Sequence, residues 1–440
     1  MQPSYGNLDP STARTYRVLS LHTGPDFTLD AAAALLDTDA SAAEELIADL
    51  AQEGRLAQTA PGRWHFPGLT GQHARDMAST HDAPEERAAA IARGIDHHLR
   101  ASAAADLIVN PGRLRIAAAF GLPALNRPAH TSPAAALAWC DTEHTNLLHA
   151  QQTAPSQGLD TLAWQFADTL WGWCTHRHNY LAWESVCQTA IESAHTCEDA
   201  RAEVLATVRL ASCRLACGDV PAAATLIAQA LQTARASGDR AGEGSAREHA
   251  AMCALATGNY SDAIDQCTRG LACWRHITSH RRPEALLERL LGRAYAGLGD
   301  HQQATAHLNT ALAIFTELNE HYHTARTLYV IATTHLANSP GTRDIEEATI
   351  LLEQARPMMQ GEDHPFSQAD LLTALADAHT RAADTGQASA CLQEATALQL
   401  QLSLPEDHPA RIRTSAIATQ LATATSKQPP HGTVPDDQDA

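Results

Sequence analysis

The sequence predicts an all-α chain: an α-solenoid of about six stacked helix pairs, preceded by a small three-helix unit with a hairpin and a helical connector. Three observations predict it. Alanine and leucine dominate the 44% of the 440 residues that are apolar, and only 5% is aromatic. That balance favours close-packed helices, because strands draw on Val, Ile, Thr and aromatics. Small residues return with a period near 40 over the second half of the chain, the mark of stacked repeats. Residues 9–78 have a different texture, with short helical runs broken by Gly-Pro and Pro-Gly turns.

In that first segment Asp9-Pro10-Ser11 opens a helix through Tyr16, Val18, Leu19 and Leu21. Gly24-Pro25-Asp26 breaks it, and Thr28 caps a short helix from Leu29 to Leu36. Ser41-Ala42-Ala43-Glu44 reads as a capping box for a third helix carrying Leu46, Ile47 and Leu50. Arg55–Gln58 and Arg63–Phe66 flank the turn Ala60-Pro61-Gly62 and alternate like two strands of a wing. Residues 9–78 are therefore expected to form a winged helix. DNA contact would have to rest on Arg55 and Arg63, because no Arg or Lys occurs between Arg17 and Arg55. The third helix offers Glu44, Glu45 and Asp49, which repel phosphates. DNA is not the expected partner.

Residues 84–158 read as a helical connector. One helix runs from Glu85 to Leu107 and stops at Asn110-Pro111-Gly112, and 122–133 is a Pro-rich loop. Thr131-Ser132-Pro133 then caps a helix through Leu148. Asp141 and Glu143 on that helix are two residues apart and share no face, so solvated or capping roles are expected of them.

Residues 160–405 carry the repeat. Gly218-Asp219, Gly258-Asn259 and Gly299-Asp300 precede a small residue at Ala223, Ala263 and Ala304; Ala348 and Ala388 continue the series. The spacings are 40, 41, 44 and 40, and Trp183 lies 40 before the first. Four residues on stand Cys187, Ile227, Cys267, Leu308, Leu352 and Leu392, and seven on stands Ala or Gly, which places all three on one helical stripe. The preceding helix of each pair keeps a small residue at Ala211, Ala251, Gly292, Ala332 and Ala376. Small residues there let two helices approach closely. The four extra residues of the fourth unit fall in its turn at 338–342, where insertion costs little.

Leu291-Gly292-Arg293-Ala294-Tyr295, followed by Ala304, Leu308 and Ala311, resembles a tetratricopeptide repeat with longer helices. Together with the winged unit and the connector string Ala136–Leu148, these repeats resemble the C-terminal part of actinobacterial regulators of the SARP and NB-ARC/tetratricopeptide type. The resemblance implies a regulatory protein whose repeats sense a partner. In that family an NB-ARC ATPase module precedes the winged helix, and the chain is expected to lack it. An NB-ARC-type ATPase acting in trans is one partner the resemblance implies. The family's His-Asp pair after the wing contacts nucleotide; Pro67-Gly68 stands at that place here, so no nucleotide role is expected of it.

The rest of the sequence excludes chemistry more than it offers it. Of 31 basic residues 30 are arginine, and the single lysine, Lys427, lies outside any P-loop string. No Gly-x-Ser-x-Gly elbow occurs, and the ten cysteines sit mostly in alanine-like slots. Cys174-Thr175-His176-Arg177-His178, Cys187 and the pair His276/His280 are the densest metal-like groups, yet no Cys-x2-Cys exists. No catalytic residue, metal or cofactor is expected. With neither a leader nor a run of about 18 apolar residues, a cytoplasmic location is expected. The segment 426–440 is polar and Pro-rich, and disorder is expected there.

What remains is the inner face of the repeats. The repeat phase places Arg289, Arg293, Arg326 and Tyr329 there, with Thr333, Asp370, Thr373 and Asp377 beside them. In a chain of net charge −19 this is a local basic and aromatic patch, suited to an acidic or C-terminal carboxylate peptide. The alternative is that these arginines pair with Glu248, Glu284 or Glu288. The sequence thus reads as a non-enzymatic regulatory scaffold that binds a protein or peptide in the groove of its repeats. The other reading is a DNA-binding transcriptional regulator that uses the winged helix, with the repeats as sensor.

Overall fold

The computed structural model describes residues 5–121, 130–275, 281–337, 341–361 and 364–426. Residues 122–129 of the Pro-rich loop, the insertion at 338–340, the pair His276/His280 and the tail beyond Ser426 lie outside the described residues. The chain divides into two compact units, 1–249 and 250–440.

The first unit opens with α1 (Pro10–Leu19), whose N-terminal amides at Ser11 and Thr12 are taken by the Asp9 carboxylate at 2.9 and 3.1 Å. Strand β1 (Phe27–Thr28) leads into α2 (Leu29–Leu36), capped by the Thr28 hydroxyl as expected. Helix α3 (Ala40–Gln52) starts two residues earlier than its capping-box reading. Asp39, not Ser41, accepts from the Ala42 amide at 2.9 Å, because an Asp ahead of the first turn caps at least as well as a Ser inside it. Strands β2 (Ala57–Ala60) and β3 (Arg63–His65) form the hairpin. They join β1 in an antiparallel sheet of order β1-β3-β2, with Phe27 opposite Trp64. Tyr16, Leu19, Phe27, Leu35, Ile47 and Leu50 fill the core between helices and sheet.

Helix α4 (Thr70–His81) follows and packs on α1. Next comes α5 (Pro84–Val109), which ends at Asn110 as expected, and α6 (Pro133–Thr153), capped by Ser132. Gly94 on α5 faces Leu35 with room for nothing larger than a Cβ, and Arg93 donates to the last carbonyls of α2 at Ala34 and Leu35. Asp141 and Glu143 on α6 are not free solvated groups. Asp141 accepts from the Trp173 indole at 2.8 Å and from Arg177 at 2.9 Å, and Glu143 is 4% exposed and paired with Arg63. Helical spacing tells which residues share a face, and is silent on what packs against it.

The leading helix of the first repeat pair is not continuous. It is broken into α7 (Asp160–Ala163), α8 (Gln165–Thr169) and α9 (Trp171–Arg177), followed by α10 (Tyr180–Thr196). Side chains of the middle piece reach back to the connector. Asp168 is fully buried: Oδ1 takes Arg113 and Arg209, each at 2.6 Å, and Oδ2 takes the amides of Ile116 and Ala117 at 2.8 and 2.9 Å. Asp106 at the end of α5 takes Arg113 and Arg115 and the Gly172 amide. Gly172 admits no side chain, since a Cβ would sit 2.9 Å from Asp106 and Asn110. Burial opposes the Asp168 charge, but Arg113, Arg209 and the two amides outweigh it and hold the carboxyl at about 2.

Helices α11 (Ala200–Ala216), α12 (Val220–Ser237) and α13 (Arg240–Ala256) continue the repeats, and the division between units falls inside α13. The second unit alternates two layers. Helices α14 (Tyr260–Trp274), α16 (His301–Glu317), α18 (Thr342–Gly361) and α20 (Thr385–Gln401) interleave with α15 (Arg281–Gly297), α17 (His321–Ala337) and α19 (Pro365–Arg381). The Gly-Asp and Gly-Asn turns perform two tasks at once. Gly218, Gly258 and Gly299 take φ of 83°, 73° and 80°, which ends one helix. The next residue, Asp219, Asn259 or Asp300, then caps the following helix with its side chain. The small positions make the expected close contacts, and a Cβ on Gly292 would lie 2.4 Å from Leu308 Cγ. A further helix, α21 (Pro409–Ser426), closes the unit against α19 and α20. No described helix is long and apolar enough to cross a membrane.

Two measurements check this packing. Gly292→Ala gains about 1 kcal/mol of helix propensity but meets the branch carbon of Leu308, an overpacking cost of about 1–3 kcal/mol. Urea unfolding of the variant is expected at lower midpoint, with the losses from Gly292→Ala and Leu308→Ala adding to less than their sum in the double variant. Asp168→Asn leaves Arg113 and Arg209 buried without a full counter-charge and is expected to cost about 3–5 kcal/mol near neutral pH. A carboxyl held below its ordinary value of 3.8 stabilises the fold above that pH and stops doing so as pH falls toward 2. The stability gap between the parent chain and Asp168→Asn is therefore expected to close over that window.

Candidate functional site

Helices α15, α17, α19 and α21 of the second unit lie side by side in one layer, and their shared face carries the residues singled out by the repeat phase. Arg289 and Arg293 stand one turn apart on α15 and therefore point the same way. Arg289 lies over the Phe315 ring at 5.4 Å, with its guanidinium 3.3 Å from His323 Nδ1. Arg282 holds the other ring nitrogen of His323 at 2.6 Å and pairs with Glu320 at 3.0 Å. Burial, with Arg282 and Arg289 beside it, drives the His323 pKa well below its ordinary value, so this histidine is neutral.

On α17, Arg326 lies 5.0 Å from the Tyr329 ring and reaches Asp370 of α19 at 3.4 Å. Asp370, itself 7% exposed, takes a second arginine on its other oxygen: Arg413 of α21, at 2.7 Å. Burial raises the Tyr329 phenol, and the Asp370 carboxylate raises it further, so it stays a neutral donor. Thr373 on α19 bonds to Thr414 on α21 at 2.9 Å, and Gln399 also holds Thr414, which fixes α21 against the layer.

Arg293 differs from its neighbours. Its side chain is exposed and makes no hydrogen bond or ion pair among the described residues. Its pKa is lowered, first because surrounding protein withdraws water from the guanidinium and then because Arg326 and Arg413 lie close enough to repel it. Arg326 and Arg413 thus share one carboxylate and Arg293 has none, leaving a surplus of two positive charges among the three. Two of the three carboxylates first considered as partners are used elsewhere. Glu288 holds His307 at 2.6 Å, and Glu284 lies beside Arg281.

Arg413 was missed by the repeat phase because α21 lies past the last full period. Pro409 at a first turn, with Ala410, Ile417 and Leu421 on one helical stripe, was the available signal.

The other candidates are placed differently. Arg55 is 4% exposed, lies over the Tyr16 ring and pairs with Glu53. Arg63 is clasped between Asp26 at 2.5 Å and Glu143. Glu44, Glu45 and Asp49 are exposed on α3. Cys174 and Cys187 are buried, and burial drives both thiols up, Cys187 to about 12. His176 is buried and bonds to the Gly172 carbonyl. Among the described residues no group of three His, Cys, Asp or Glu is placed to hold a metal ion.

A tetratricopeptide repeat model matches residues 283–339, the segment that carries three of the arginines just described. Over most of its length the chain is similar to regulatory proteins. It is 28% identical over 454 residues to the regulatory protein AfsR of Streptomyces griseus, covering 92% of this chain and 44% of that protein. It is 30% identical over 324 residues to AfsR of Streptomyces coelicolor, covering 71% of this chain and 32% of that protein. The chain thus spans less than half the length of either relative. Among solved structures, a STAND signal-transduction ATPase with a tetratricopeptide repeat sensor from Pyrococcus horikoshii is 12% identical. It aligns over 96% of this chain and 63% of its own, with a TM-score of 0.46.

The face makes a distinction that stability measurements resolve. Arg293→Gln removes a repelled charge with no partner and is expected to leave the urea midpoint unchanged or raised, by less than about 0.5 kcal/mol. Asp370→Asn strips the shared counter-charge from Arg326 and Arg413 and is expected to cost about 1–3 kcal/mol.

Proposed function

We propose that the chain is a non-enzymatic regulatory scaffold that binds a protein or peptide partner, acidic in character, in a groove on the inner layer of its second unit. Arg289, Arg293, Arg326 and Tyr329 carry the contact, joined by Arg413. The observation that carries this reading is the surplus of positive charge around Asp370 in a chain of net charge −19. A partner's carboxylates would supply the missing counter-charge, and arginine forks bind carboxylates in bidentate geometry. Similarity to regulatory proteins and the repeat match support a regulatory rather than catalytic role.

In this reading residues 9–78 are a winged helix that serves packing and partner contact. Its element order and sheet order support that assignment. Three features argue against duplex contact through it: the exposed carboxylates of α3, the burial of Arg55 and the clasp on Arg63.

Affinity capture from native lysate, with and without nuclease, tests the proposal. A retained protein that survives nuclease, and is lost by more than about tenfold in Arg289→Ala/Arg293→Ala/Arg326→Ala, is the expected result. Retention that vanishes with nuclease, or saturable duplex binding that weakens as salt rises, would overturn it.

A further inference from the structure

The arginine face has an occupant of matching charge in the chain itself. After Ser426 the sequence runs Lys427-Gln428-Pro429-Pro430-His431-Gly432-Thr433-Val434-Pro435-Asp436-Asp437-Gln438-Asp439-Ala440. Three carboxylates fall within the four positions 436–439, and Lys427, the only Lys or Arg of this stretch, stands nine residues before them. We propose that Asp436-Asp437-Gln438-Asp439 docks in cis on Arg293, Arg326 and Arg413, so that an external acidic partner binds only by displacing it. This rests on the reading of that face as an acidic-peptide groove.

Charge and reach both support the assignment. Three arginines served by one carboxylate leave two positive charges unanswered, and Arg293 has no partner among the described residues. The chain as a whole carries −19, so an acidic segment is repelled by most of the surface and attracted by this patch. Arg413 belongs to α21, the helix from whose end the segment departs. The return from Ser426 to Arg413 along that helix is about 20 Å, at about 1.5 Å per residue. The ten residues from Ser426 to Asp436 reach up to about 33–36 Å when extended, enough for the return without a taut chain. A tether of this length holds its end at an effective concentration in the millimolar range. Contacts of about 100 μM intrinsic affinity would then keep the face about nine-tenths occupied and weaken an external competitor about tenfold.

Lys427 supplies the experiment. It is the single lysine of the chain, so a lysine-specific protease acting on the folded protein releases residues 428–440 in one cut. Fluorescence anisotropy of a labelled Pro-Asp-Asp-Gln-Asp-Ala peptide is measured at low and high salt. The proteins are the full chain, the cut chain and full-length Asp436→Asn/Asp437→Asn/Asp439→Asn. About tenfold tighter binding to the cut and neutralised forms than to the parent is expected. That binding should weaken with salt and be lost in cut Arg293→Gln/Arg413→Gln, two exposed positions whose variants are checked for an unchanged melting curve.

Equal binding to all three forms that still needs the two arginines would overturn the inference and leave the groove reading standing. Absence of peptide binding together with arginine-dependent capture of a lysate protein would do the same. Absence of peptide binding together with arginine-independent capture would overturn both. A parent chain that sediments as a dimer, and as a monomer once cut, would place the segment on a second copy and overturn docking in cis.

Discussion

The carboxylate of Asp168 is the constraint on which the first unit depends. Both of its oxygens are fully used, one by two guanidiniums and the other by two backbone amides, in a site closed to water. The partners come from the loop after α5 and from α11, so one ionised group on α8 dictates where three distant stretches meet. Asp106 repeats the arrangement beside it, and the aromatic rings of Phe120 and Trp171 cover the guanidinium faces. Buried ion pairs add little net stability, because desolvation offsets attraction. What they fix is geometry: any shift that opens one contact strands a charge in the interior. The broken helix at 160–177 follows from this, since Asp168 and Gln165 must meet the backbone of 116–119.

The second unit is held by a different device. Its helices touch near neighbours through small residues, and the Asp370 cluster joins α17, α19 and α21. Asp370 answers two arginines from two helices, while Arg293 is left unanswered between them.

How much of this was legible in the sequence depended on whether the interaction was periodic. The repeats were legible because the same small residue returns at each helix contact, as Gly292 against Leu308 makes plain, and because Gly-Asp encodes a helix stop and a helix cap in two letters. Arg289, Arg293, Arg326 and Tyr329 could be placed on one face from the repeat phase alone. The partners of Asp168 lie 41 to 55 residues away on non-repeating segments, and nothing in local spacing announces them. Glu143 was invisible for the same reason, since its role depends on Arg63 eighty residues earlier. Strand β1 has two residues, too few for alternation to register. Arg413 was hidden because α21 ends the stack and has no following unit to set its phase.

The span of the Asp168 network has a consequence for biosynthesis. All of its members lie between residues 106 and 209, so every residue needed to close it is translated before the second unit begins. The pairs that follow need contacts only about 40 residues apart, which keeps loop-closure entropy low at each addition. Within each unit folding can therefore keep pace with elongation, each new helix pair packing on the one before it. Asp370 is an exception in direction, since its second arginine comes from the last described helix, and the basic face is completed only once α21 has been made.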